Sequence, residues 1–183
     1  MDASAQKAEE KAVKATFSNY RKAILESNGQ EAVRWVDSKT VAYYDKMLGT
    51  ALQADSSELA KLSIMDKLTV FTVPHKIPKD DLSGLNGKQF FVYSIDKGMV
   101  GKTTVANIDL GEVKVEGTFA NGQIIAHGQK SPLFFQFNKE EGNWKLDLTS
   151  LFPATNAGLK KAISDQGITE HHFIFQVLEA ASG

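Results

Sequence analysis

The hydrophobic period of this chain changes from helical to alternating near Lys102 and holds until the C-terminal helical segments. Upstream of that point apolar residues recur every three or four positions, and downstream they recur every second position. Side chains repeat about every 3.6 residues around a helix and every second residue along a strand. The first part must therefore fold as amphipathic helices and the later part as half-buried strands. Helices followed by a run of strands imply α+β layering, in which helical stripes cover the apolar face of an antiparallel sheet.

The helical part divides at caps and breakers. Val13, Phe17, Tyr20 and Ile24 form one stripe on a helix from about Ser4 to Ser27, stopped by Asn28-Gly29. Trp35 and Val36 end a short piece, and Asp37-Ser38 caps a helix carrying Val41, Tyr44, Met47, Leu48 and Ala51. Asp55-Ser56-Ser57-Glu58 has capping-box spacing, and Ser63 to Asp66 offers a second such start. Pro74 is expected to end the helix that holds Leu68 and Phe71. Asn86-Gly87 precedes a helix with Phe90, Phe91 and Tyr93, terminated at Gly98. Two further helices are expected near 156–165 and 169–180.

In the strand part, Val113, Val115, Gly117 and Phe119 alternate with Glu112, Lys114, Glu116 and Thr118. Asn121-Gly122 is a strong signal for a two-residue type I′ turn. A turn there pairs Phe119 with Ile124, Gly117 with Ala126, Val115 with Gly128, and Glu116 with His127. A turn over Lys139–Gly142 then pairs Phe137 with Trp144, Phe135 with Leu146 and Leu133 with Leu148. Phe134, Gln136, Lys145 and Asp147 take the opposite face. The expected result is a curved meander of four to five strands packed on the N-terminal helices, with extra helices in the middle and at the C-terminus.

The 183 residues suit a single domain over 1–183, with a core at about 8–150 and a helical extension at 151–183. The net charge is −1 and the cations are scattered, so neither a nucleic-acid stripe nor a polybasic membrane patch is present. The chain has no cysteine, which excludes disulfides, thiolate metal sites and cysteine nucleophiles. No apolar run approaches the ~18 residues of a membrane span. The polar start MDASAQKAEEKAV suits an exported chain with its signal peptide removed slightly better than a cytoplasmic one.

The helix AVKATFSNYRKAI, a second helix and late strands ending in FFQFNKEEGNWKLDL give the chain a resemblance to the nuclear-transport-factor-2-like superfamily, the cystatin-like α+β roll. The glycine turn followed by Trp144, Lys145 and Leu146 carries much of it. The resemblance covers about residues 8 to 150 and is greatest to bacterial members of unassigned function. It implies a conical cavity between sheet and helices. Superfamily members include ketosteroid isomerases, polyketide cyclases and dehydratases, besides non-catalytic binding proteins.

With Gly117, Ala126 and Gly128 expected on the inward strand face, that cavity has room. Its expected ligand-binding wall is Tyr20, Tyr44, Gly117, Phe119, Gly128, Phe135, Phe137 and Trp144, suited to a small apolar ligand. No spacing fixes an acid–base pair, so a non-catalytic binding or interaction protein is the first reading and no cofactor is expected. The chain offers Tyr20, Tyr43, Tyr44, Tyr93, Asp45 and Asp147 for acid–base work, and the alternative, a small isomerase, cyclase or dehydratase, needs Tyr20, Tyr44 or Asp147 at a dry pocket. Ile125, His127 and Phe134, on the outer sheet face, are the expected homodimer interface. Glu170, His171 and His172 are adjacent on a helix and do not converge on a metal. Residues 98–104, GMVGKTT, lack the first glycine of a phosphate loop and read as a helix end leading into the sheet.

Overall fold

The computed structural model describes residues 3–99 and 102–182 and is α+β, with one curved four-stranded antiparallel sheet. The elements run α1 Ala3–Leu25, α2 Gly29–Ala32, α3 Ser38–Gln53, α4 Ser56–Ala60, α5 Ile64–Lys76, α6 Lys79–Leu82, α7 Gly87–Asp96 and α8 Thr103–Ala106. Then follow β1 Ile108–Glu116, β2 Phe119–Ala126, β3 Gln129–Glu140 and β4 Asn143–Asp147. A 3-10 turn at Leu148–Leu151, α9 Phe152–Asp165 and α10 Glu170–Ser182 complete the chain. Two compact units result, each from two segments. The first joins the segment ending at Val41 to Phe91–Leu151, and the second joins Ala42–Phe90 to the segment starting at Phe152.

In the first unit the sheet is a meander in the order β1-β2-β3-β4. Its inner face carries Val113, Val115, Ala120, Ile124, Phe135, Phe137, Trp144 and Leu146, all buried. Helix α1 packs on this face and buries the stripe Val13, Phe17, Tyr20 and Ile24. The rings of Phe17 and Phe135 lie 5.2 Å apart. Each such aromatic or aliphatic side chain contributes about 1.5–3 kcal/mol by burial. Where α1 ends, Asn28 accepts the Glu31 amide and so caps α2. Gly29 is there for closeness: a Cβ would stand 2.3 Å from the Val92 carbonyl oxygen on α7. Its amide donates to Asp96 Oδ1 at 2.7 Å.

The hairpin expected at Asn121-Gly122 is not formed. Both residues lie inside β2, where Asn121 pairs with Lys114 and Gln136, and Gly122 with Val113 and Phe135. The chain turns instead at Gly117-Thr118 and at His127-Gly128, with positive φ at Gly117 (64°), His127 (50°) and Gly128 (74°). Turns at these places leave β2 paired along both edges, so the backbone groups pointing to either side find partners. Gly117 and Gly128 are thus exposed turn residues, with nothing within 4 Å of a built Cβ. Phe119 pairs with Glu116 and Asn138 on the outer face, half-buried, instead of lining the inside. Glu116 accordingly does not face His127.

The last hairpin is tighter than expected. It turns on Glu141-Gly142, φ 50° and 80°, the two positive values a type I′ turn needs. Phe137 consequently pairs with Leu146 and Lys139 with Trp144, a shift of two that leaves every side chain on its expected face. A parallel bridge between Val36 and Leu146 adds the segment before α3 to the free edge of β4.

The second unit follows its caps. Asp55 accepts the amides of Ser57 and Glu58 at 2.8 and 2.9 Å, and Glu58 reaches back to the Asp55 amide at 3.1 Å, completing the capping box. Ser63 caps α5 by accepting the Asp66 amide at 3.2 Å. Helix α5 continues past the expected stop at Pro74 to Lys76, although proline there supplies no amide hydrogen to the preceding turn. Helices α9 and α10, read from sequence as an extension, pack on α5. The Met65 amide donates to Asn156 Oδ1 at 3.0 Å, and Tyr43 stands edge-on to Phe152 at 4.7 Å.

Chemical denaturation separates the two turn assignments. Gly128→Val should cost at least about 1–2 kcal/mol because its φ is left-handed. Asn121→Val, mid-strand, should change stability by less than about 1 kcal/mol. Phe137→Ala should cost about 3–5 kcal/mol.

Candidate functional site

The residues expected to line one cavity are dispersed. Tyr20, Phe135, Phe137 and Trp144 are 4%, 9%, 0% and 3% exposed in the core of the first unit. Phe119 lies on the outer face, and Gly117 and Gly128 lie in turns. Tyr44 belongs to the second unit, where its ring is 5.7 Å from those of Tyr43 and Phe90. The roominess inferred from Gly117 and Gly128 is therefore corrected: neither glycine opens space over the sheet.

The candidate acids and bases serve structural contacts. Tyr43 donates to Asp66 Oδ1 at 3.0 Å and lies 3.3 Å from the Thr69 hydroxyl. Burial holds the Tyr43 phenol far above its ordinary value and pushes Tyr44 up to about 12. Both hydroxyls stay protonated at neutral pH, so they can donate but not abstract a proton. Asp45 accepts the Gly87 amide at 2.7 Å, and the ring of Tyr93 carries Lys97 at 5.4 Å.

Asp147 is 2% exposed although its register places it opposite Trp144 and Leu146. It accepts from the Thr149 amide and hydroxyl at 2.9 and 2.6 Å, and Lys39 lies 3.4 Å away. Beside it is a contact that sequence reading missed. Asp37, fully buried, accepts from the Thr40 amide and hydroxyl at 2.9 and 2.8 Å and from Asn138 Nδ2 at 2.9 Å. The Thr40 hydroxyl in turn accepts the Leu148 amide at 3.0 Å. Asp37-Ser38 reads in sequence as a cap, and a cap it is. Its link to Asn138 spans 101 residues, and no local pattern encodes it.

Two grooves remain. In the second unit, α4, α5 and α10 line one of about 590 Å³ with Leu59, Phe71, Ile174, Phe175 and Leu178. One polar contact on its wall is the Lys67–Glu170 pair at 2.6 Å. Phe175 is 53% exposed beside it. In the first unit a groove of about 350 Å³ runs between α1 and the β3–β4 turn, lined by Glu9, Asn19, Trp35, Lys139, Asn143 and Trp144. Glu9 accepts from the Trp144 indole and from Lys139, each at 2.6 Å. These two hydrogen bonds, Lys139 first, hold its carboxyl below the ordinary value.

Of the expected interface residues, Phe134 is 48% exposed, and neighbouring Leu133 is 40% exposed. Ile125 is half-buried, and its Cδ1 would stand 2.9 Å from a Cβ on Gly111. His127 sits in the exposed turn after β2, its amide donating to the Asn107 carbonyl at 2.9 Å. Glu170 is engaged by Lys67, and among the described residues no three His, Asp or Glu side chains are grouped as metal ligands. Residues 100 and 101 of the GMVGKTT stretch lie outside the described residues.

The lowered Glu9 carboxyl sets a sign for acid stability. The folded state binds fewer protons there than the unfolded chain, so this contribution is complete above the ordinary value of 4.5 and is lost as pH falls through the lowered folded value. Glu9→Gln should flatten the acid limb of a denaturant-midpoint profile while leaving its neutral-to-alkaline shape unchanged. An unaltered acid limb would contradict the assignment. The chain matches no protein-family model, no curated protein and no solved structure.

Proposed function

We propose that this chain is a binding protein without catalysis of its own, taking a small apolar ligand in the groove between α4, α5 and α10. The observation that carries this reading is the groove itself. Its size lies within the ~300–1,000 Å³ usual for small-molecule sites, and its wall is mainly aliphatic and aromatic, with the Lys67–Glu170 pair, Ser56 and His171 as its polar part. The candidate acids and bases, by contrast, are occupied as caps and buried contacts. The ligand is an apolar molecule small enough for that groove.

The roll of the nuclear-transport-factor-2-like kind is proposed for the first unit. Its support is the long helix α1 lying on an antiparallel meander that ends in the glycine turn, Trp144, Lys145 and Leu146. Homodimerisation through the outer sheet face is proposed on the exposed Phe134.

Titration with the neutral apolar dye N-phenyl-naphthylamine tests the ligand reading. Saturable fluorescence enhancement is expected, weakened roughly tenfold, about 1.4 kcal/mol, in Phe175→Asp and in Ala60→Trp, which fills the groove from an exposed helix position. Enhancement that is non-saturable, or unchanged from the parent chain in both variants, would remove the reading. Sedimentation of Phe134→Asp tests the interface: the dimer proposal requires a fall in mass relative to the parent chain.

A further inference from the structure

We infer that the groove between α1 and the β3–β4 turn is a site for a neutral saccharide. The chain has two tryptophans, and both line this groove. Trp35 is partly exposed, and its orientation is fixed by the indole N–H, which donates to Glu31 at 2.9 Å. A held, partly open indole is a platform for the C–H face of a pyranose ring, which is apolar, while the ring's edge of hydroxyls needs polar partners.

Those partners are present. The side-chain amide of Asn19 makes no hydrogen bond to any described residue, and Asn143 spends its Nδ2 on the Glu141 carbonyl and leaves Oδ1 open. A carboxamide both donates and accepts, which matches hydroxyl groups that do the same.

Charge decides against an ionic guest. Both Glu9 oxygens are engaged, one by Lys139 and one by the Trp144 indole, and the Lys139 ammonium also lies 5.6 Å from the Trp144 ring centroid. The pair is neutral in sum, so an anion would meet Glu9 and a cation would meet Lys139. On the helix side the groove is walled by exposed alanines, Ala12 among them, which leave height for a ring over the helix. At about 350 Å³ the groove is at the lower end of small-ligand sites, a size for one or two sugar rings. This inference stands independently of the apolar groove in the second unit.

Because both tryptophans are at the site, intrinsic fluorescence reads it directly. The intact chain is titrated with cellobiose, maltose and N,N′-diacetylchitobiose, with glucuronic acid and a proline-rich peptide as comparison ligands. The expected result is a saturable change in tryptophan emission with at least one neutral disaccharide and a weaker or absent response to glucuronate. Affinity should fall roughly tenfold, about 1.4 kcal/mol, in Asn19→Ala and be abolished in Ala12→Leu. Both changes lie on the outer part of α1 and preserve its helical propensity, and circular dichroism confirms the fold. No saturable response to any of the three disaccharides, an equal response in Ala12→Leu, or saturation by glucuronate or the peptide alone would overturn the inference.

Discussion

The packing of α1 on the inner sheet face is the constraint on which the first unit depends. Its apolar part is the stripe from Val13 to Ile24, with Phe17 against Phe135. Its polar part fixes the register along the helix. Thr16, itself buried, donates to the Trp144 carbonyl at 3.2 Å; nearly three turns earlier, Gln6 donates to the Val115 carbonyl at 3.3 Å. Apolar burial alone would tolerate a slide of the helix by one turn, because it has no direction. The directed bonds do not, and they bring Glu9 to Trp144 and Lys139. The geometry of the groove is thus a consequence of how the core is locked.

Fold class and most face assignments were legible because they depend on period. Phe135, Phe137, Trp144 and Leu146 were placed correctly on the inner face although their pairing was off by two, since a shift of two conserves parity. Phe119 was misplaced for the complementary reason. A two-residue turn at Gly117-Thr118 sets Glu116 opposite Phe119, so the odd residues before the turn share a face with the even residues after it. Val115 and Ala120 go inward together, and Phe119 goes out. Asn-Gly favours a turn where a turn is wanted, but in β2 pairing along two edges outweighs that local preference. Gly122 is used for space instead: a Cβ there would stand 2.5 Å from Leu110 Cδ1.

The site was less legible than the fold, because its contacts join residues far apart in the chain. Glu9 and Trp144 are 135 positions apart, and Asp37 and Asn138 are 101. In sequence, Glu9 is one of several charged residues on an exposed helix start, and Asn138 is a polar residue before a turn. A composition argument sees only that carboxylates, amides and aromatics are available. Buried Asp37 and Asp147 look like chemistry by residue type, yet each carboxylate accepts hydrogen bonds that hold a helix start or a strand end. Removing a partner would leave a buried acceptor unsatisfied, at about 1–3 kcal/mol, which makes these groups supports of the fold.

The two grooves share an electrostatic logic. Lys67 in one is matched by Glu170, and Lys139 in the other by Glu9. A charge already paired at 2.6 Å gains little from a charged guest, because the guest must displace the partner and still give up its own hydration. Discrimination in each groove then falls to what the pair leaves unspent. In the second unit that is mainly aliphatic and aromatic surface, with Ser56 and His171 beside it, which would favour apolar area in a guest. In the first it is a fixed indole face with carboxamides beside it, which rewards a guest that is apolar on one side and hydroxylated at its rim. Each ion pair offsets its own charge, and under the proposals above the groups outside the pair would set the chemistry of a guest.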